Sequence, residues 1–157
     1  MTRVDLAAQD PASLDALGAL NSQIDAAASA AGLDLLTLEL LKVRVSQVNG
    51  CASCLRLHTR EALKLGESPV RLALVATWRE CQYFSPVEEA AFAVAESVTR
   101  ISDGPMSDAL YDEVATVLTD EQHSALAWAA ISINAWNRVA LTSKWPVAPE
   151  SPPAEDD

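Results

Sequence analysis

Apolar residues recur at helical spacing along almost the whole chain, and no stretch of useful length alternates as a strand would. Leu14, Leu17, Leu20 and Ile24 mark a first helix that opens near Asp10-Pro11, where proline suits an early helical position, and closes at Gly32. A second runs from about Asp34 to Val48. It is apolar nearly all round (Leu35, Leu36, Leu38, Leu40, Leu41, Val43, Val45, Val48), which suits a central helix covered on several sides. Asn49-Gly50 stops it, and the chain restarts at once as a helix opened by Cys51 and ended at Gly66. Ser68-Pro69 opens another, carrying Val70, Leu72, Leu74 and Val75 toward Trp78. Ser85-Pro86-Val87-Glu88 is a capping-box pattern whose helix reaches about Ile101, where Asp103-Gly104-Pro105 breaks it. A shorter helix spans roughly Ser107 to Leu118. A second capping box, Thr119-Asp120-Glu121-Gln122, opens a long last helix toward Ser143. The pattern defines one all-α helical-bundle domain over residues 1–145, with about six to seven helices. The acidic, proline-containing tail 146–157 is expected to be disordered.

Composition sharpens this picture. The chain has 157 residues, half of them apolar but only 5% aromatic, so alanine and the aliphatics carry the packing. Small side chains favour close helix approach and leave apolar surface that one compact domain does not easily hide, a hint of homo-oligomerisation. Eleven Lys and Arg against 22 Asp and Glu give a net charge of −11, which argues against nucleic acid or an anionic membrane as partner. The apolar run Ala125 to Trp136 is interrupted by Ser132 and Asn134 and is too short to span a bilayer. Thr2-Arg3-Val4-Asp5 leads into no signal-peptide core. Three cysteines make no disulfide scaffold, and a close pair without an export signal points to a cytoplasmic thiol site.

That pair is Cys51-Ala52-Ser53-Cys54, with His58 four residues on. In a helix opened by Cys51, the two thiols and the imidazole point within an arc of roughly 60° on one face. A helix's first turn stabilises an anion through its unpaired N–H groups and positive dipole end. His58, at i+4 from Cys54, is placed to lie against the Cys54 sulfur and take its proton. Once a peroxide oxidises Cys54 to a sulfenic acid, Cys51 is close enough to condense with it, giving a disulfide that an external dithiol must reduce. Glu39, on the preceding helix that runs back along the cysteine helix, reaches the site as a carboxylate able to orient the imidazole or relay protons.

The spacing of Glu39, eleven residues, C-x-x-C and x-x-x-H resembles the carboxymuconolactone decarboxylase superfamily, in its alkylhydroperoxidase D-like branch. R-V-S-Q-V-N-G-C-A-S-C-L-R-L-H-T-R-E-A is similar to that branch in nearly every position, as are T-W-R-E-C-Q-Y-F-S-P-V-E-E-A-A-F-A-V-A-E and I-N-A-W-N-R, so that the likeness covers roughly residues 35–138. The resemblance implies an all-helical domain that forms trimers or hexamers and reduces a small-molecule hydroperoxide, with no bound cofactor and a dithiol as electron donor. It makes Cys54 the attacking thiol and Cys51 the resolving one, with His58 and Glu39 as the proton relay. Ser53 stands where the well-known peroxidase of the branch has a second histidine, which lowers the expected turnover more than the thiol chemistry. Decarboxylase members generally lack the C-x-x-C pair, so that activity ranks well below.

Plainer readings compete. Cys51, Cys54 and His58, with Glu39 or Cys81, would make four zinc ligands, but no second ligand pair exists in the chain. The thiols could be inert core residues, or could serve a redox-responsive binding or assembly protein without turnover. Glu39 could simply pair with Lys42 at the surface. Cys81 reads as a small buried hydrophobe, and His123 as exposed and idle. Trp78, Trp128 and Trp136 read as core or subunit contacts. Asn134 and Asn137 are placed to hydrogen-bond across helices or subunits and receive no catalytic role.

Overall fold

The structure is a computed structural model that describes residues 3–149. Among those residues it is all-helical, with α1 (Leu6–Gln9), α2 (Pro11–Ala30), α3 (Leu35–Asn49), α4 (Ala52–Lys64), α5 (Pro69–Leu74), α6 (Pro86–Thr99), α7 (Asp108–Ala115) and α8 (Asp120–Ser143). The starts follow local chemistry. Asp10, Asp34, Ser68, Ser85, Ser107 and Thr119 each accept a backbone N–H of the first turn, and Ser85/Glu88 and Thr119/Gln122 close full capping boxes.

Three details depart from the sequence pattern. The one-turn α1 adds an eighth helix, held where Leu6 N–H donates to Ser143 Oγ at 3.0 Å from the far end of the chain. The helix after Ser68 stops at Leu74 and tightens into a 3₁₀ turn, Val75–Glu80, with Thr77 outside helical geometry. That turn swings Trp78 inward, to 5.6 Å from the Phe92 ring and within 3.0 Å of Glu96 Oε1. Cys51 is not the first residue of α4 but its N-cap, in extended conformation.

α3 is the central helix, packed against α4, α6 and α8 and touched by the 3₁₀ turn, while α2 lies along α8. Leu38, Leu40, Leu41, Val43 and Val45 of α3 are buried, with Phe92 and Val94 of α6 and Leu126 of α8. Burying such side chains contributes about 1.5–3 kcal/mol each. The Glu96 carboxylate sits inside this core. Glu96 accepts from Arg44 Nε at 2.7 Å, Arg79 Nη1 at 2.6 Å and Trp78 Nε1 at 3.0 Å, tying α3, the 3₁₀ turn and α6 together. Burial opposes its charge, but the bonds from Trp78, Arg79 and Arg44 outweigh it and hold the carboxyl below its usual range.

No helix among the described residues is long and apolar enough to cross a membrane. Pro146 to Pro149 are irregular, with the Ala148 carbonyl accepting from Arg56 Nη1 at 3.0 Å. The remainder of the tail lies outside the described residues.

Candidate active site

The α3–α4 junction builds the site. Gly50 adopts the left-handed conformation (φ 66°), which only glycine takes without strain. Its N–H bonds the Gln47 carbonyl at 3.2 Å, and the Cys51 N–H bonds the Ser46 carbonyl at 3.0 Å, a Schellman ending. The turn reverses the chain so tightly that α4 starts against α3. Cys51 enters the core as the α4 N-cap, 1% exposed, and Cys54 on the first turn is 6% exposed.

Both are free thiols, and their side chains hydrogen-bond to one another. Burial, reinforced by that bond, pushes the Cys54 thiol up to about 12, although the side-chain amide of Asn137 pulls the other way. The helix N-terminus alone argued for a lowered value. Burial wins here because α4 packs against α3 and α8, with Cys54 in the core between them. At rest Cys54 carries its proton.

One turn further along α4, His58 Nδ1 meets Glu39 Oε2 at 2.7 Å, and Lys42 Nζ donates to the other Glu39 oxygen at 2.8 Å. Glu39 therefore binds both partners, one oxygen for each, and the pair with Lys42 is largely buried, not at the surface as expected. The side chains of His58 and Glu39 are only 14% and 12% exposed. Burial disfavours the Glu39 carboxylate, yet the bonds from His58 and Lys42 prevail and hold its pKa below the ordinary range. An ionised Glu39 fixes Nδ1 of the ring as the protonated nitrogen.

Sequence reasoning left out the wall behind the sulfurs. Asn137 on α8, fully buried, acts on Cys54 and donates to Ser46 Oγ at 3.3 Å. Its only signal in the sequence is a pair of amides, Asn134 and Asn137, inside an apolar helix. The expected cross-helix bonding is present, since Asn49 Nδ2 reaches Asn134 Oδ1 at 2.9 Å and Asn137 Oδ1 at 2.8 Å.

Cys81 lies apart and half-buried in the loop after the 3₁₀ turn, its sulfur on the Trp78 carbonyl at 3.6 Å. Among the described residues no three His, Cys, Asp or Glu side chains are grouped to hold a metal ion. His123 is half-buried, its ring 5.1 Å from Tyr111. Of the tryptophans, Trp78 is buried, Trp136 half-buried and Trp128 half-exposed. A cavity of about 570 Å³ between α2 and α8 is lined by Leu20, Ile24, Ala125 and Trp128 and includes none of the thiols or the His58–Glu39 pair.

The chain belongs to the carboxymuconolactone decarboxylase family, whose model matches residues 8–97 and so takes in Glu39, Cys51, Cys54 and His58. That match begins earlier and ends earlier than the resemblance read from the sequence. An uncharacterized protein of Bacillus subtilis (strain 168), YdfG, is 41% identical over 105 residues, which cover 67% of this chain and 71% of that one. A crystal structure from Agrobacterium tumefaciens, of a protein of unknown function whose name assigns it provisionally to antioxidant defence as an AhpD, superposes with a TM-score of 0.86. It is 28% identical and covers 96% of this chain and 100% of its own. An uncharacterized peroxidase-related protein from Silicibacter sp. TM1040 shares the fold, with a TM-score of 0.69 at 21% identity, covering 83% of this chain and 68% of its own.

Proposed function

We propose that the chain is a thiol-dependent hydroperoxide reductase of the alkylhydroperoxidase D-like type. The observation that carries this reading is the succession, over about two turns from the α4 N-cap, of two buried thiols and an imidazole anchored on a carboxylate at 2.7 Å.

His58, held through Nδ1, offers Nε2 to the proton of Cys54. The thiolate attacks the peroxide, the O–O bond breaks, and the leaving alkoxide takes the proton from His58 as the alcohol. Cys54 is now a sulfenic acid. The Cys51 thiol attacks its sulfur, forming the disulfide and releasing water. A cytoplasmic dithiol then reduces the pair by exchange, so one peroxide and one dithiol give an alcohol, water and a disulfide. Cys54 suits the attacking role because it is the more exposed of the two residues, 6% against 1%. Trp128, Ile131 and Ile101 are 50%, 44% and 63% exposed, an apolar surface suited to burial in a homo-oligomer such as a trimer or hexamer.

The test is a comparison of single-cysteine variants under peroxide, read by intact mass. Cys54→Ser should consume no peroxide, and Cys51→Ser should accumulate one added oxygen on Cys54. Full peroxide consumption by Cys54→Ser would end the assignment. Because Cys51 also joins the α3 ending to the α4 start, a disulfide there would be felt by both helices, which favours a redox-responsive binding protein as the second reading. Oxidation in one stoichiometric event, without dithiol-driven turnover, would select it.

A further inference from the structure

Behind Cys54 a line of polar side chains runs outward through α8, and each link has only one orientation. Asn134 Oδ1 accepts from Arg138 Nη1 at 2.8 Å, a group that can only donate. Its Nδ2 donates to the Ala130 carbonyl at 2.9 Å, a group that can only accept, and to Thr99 Oγ1 at 2.9 Å. The Asn134 amide is thereby fixed. Its oxygen then needs a donor from Asn49, whose Nδ2 supplies it at 2.9 Å and also reaches Asn137 Oδ1 at 2.8 Å. With its oxygen committed, Asn137 must turn its NH₂ toward the thiol side, where one N–H goes to Ser46 Oγ at 3.3 Å. Ser46 and Asn137 are both 0% exposed, so no water competes for the other.

We propose that Asn137 is a catalytic residue of this thiol site, its second N–H donating to Cys54 Sγ as the sulfur gains negative charge. Asn49, Asn134 and Arg138 are positioning residues that dictate which end of the Asn137 amide faces the sulfur. The proposal deepens the peroxidase reading and rests on it for the sulfur's role. A buried thiolate needs such a donor, because the solvent that would stabilise it is gone. A hydrogen bond to a charged acceptor is also about twice as strong as one to a neutral acceptor, so the contact favours the anion selectively. The same direction appears in the protonation of Cys54, where the Asn137 amide is the influence that lowers the pKa against burial and Cys51. Asn137 lies beyond the segment matched by the family model.

The experiment measures alkylation of Cys54 by iodoacetamide against pH in the reduced full chain, resolved from Cys51 and Cys81 by peptide mass. Circular dichroism and the thermal midpoint check that each variant is folded. Asn137→Ala is expected to slow Cys54 at every pH up to about 10, by about three- to fourfold for each unit that its pKa rises. Asn49→Ala keeps Asn137 but frees its oxygen, and is expected to slow the reaction in the same direction by less. A folded Asn137→Ala with the parent's profile overturns the proposal. A slowed Asn137→Ala beside an unchanged Asn49→Ala overturns the positioning chain. If Asn137→Ala does not fold, an unchanged Asn49→Ala overturns the whole. Alkylation reads the sulfur directly, so missing peroxide turnover with a responsive profile would remove the proposed function and leave Asn137 as the donor to the Cys54 thiolate.

Discussion

A thiol held at about 12 makes a quantitative statement about rates. The ordinary value is 9.0, so burial and the Cys51 bond cost Cys54 three units, or about a thousandfold in thiolate at neutral pH. Nucleophilicity recovers part of this, because a more basic thiolate attacks faster with a Brønsted slope of about 0.4–0.5. The net expectation is alkylation about 30- to 60-fold slower than that of the same cysteine in the urea-unfolded chain. Restricted access would slow the reaction too, but access scales the whole curve whereas the pKa decides where the curve bends. The assay is therefore iodoacetamide labelling across pH, followed at the Cys54 peptide. The folded protein should show a tenfold rise per pH unit that does not level off by about pH 10, while the unfolded chain levels off near 9.0. A folded-state plateau below about pH 8 would refute the reasoning, since it would mean that the helix N-terminus prevails over burial.

Further outcomes follow from the charges around the thiols. Glu39→Gln keeps the shape of the side chain but removes the carboxylate that anchors His58 Nδ1, and should lower peroxide-driven oxidation of Cys54 by about a hundredfold in stopped-flow measurements. An unchanged rate would reduce Glu39 to a partner of Lys42. Glu96→Ala strands the buried Arg44 guanidinium and should cost about 3–5 kcal/mol in urea unfolding. A loss under about 1 kcal/mol would place the cluster with ordinary surface pairs. The carboxyls of Glu39 and Glu96 both sit below their ordinary value of 4.5 in the folded chain. Their contribution is therefore complete above 4.5 and is lost as the pH falls through the lower folded values, so the urea midpoint should drop steeply only below about pH 4.5. A midpoint already falling between pH 7 and 5 would contradict both assignments.

How much of this was legible depended on how local each cause is. Helix starts were readable because a cap is a contact between neighbours: Ser85 with Glu88, Thr119 with Gln122, Asp34 with Thr37. The Asn49-Gly50 stop was readable for the same reason, and it fixed the thiols beside α3. The succession of Cys51, Cys54 and His58 along one element came from spacing alone, even though Cys51 caps α4 instead of beginning it. What failed to show had causes distant in the chain. The 3₁₀ turn at Val75–Glu80 answers to Glu96, and α1 to Ser143. The protonation of Cys54 answers to what covers it, and that cover includes Asn137 on the last helix. A local reading could see only the helix N-terminus, which pulls the opposite way.

Burial and catalysis are often set against each other at cysteine sites, yet here the first can serve the second. A thiolate on an open helix end reacts with any electrophile that meets it. In the proposed reaction a thiol kept protonated by burial reacts only where its proton can leave at the moment of attack, and the proposed exit is the ring at position 58, held by Glu39. Selectivity then resides in the arrangement of the proton route. The same enclosure sets the order of events. Cys51 is 1% exposed against 6% for Cys54, so in the proposed reaction the oxidant meets Cys54, and the incoming dithiol reaches the same sulfur once the disulfide has formed. On the proposed mechanism, oxidation and reduction then converge on one sulfur in turn, each product leaving before the next reactant attacks.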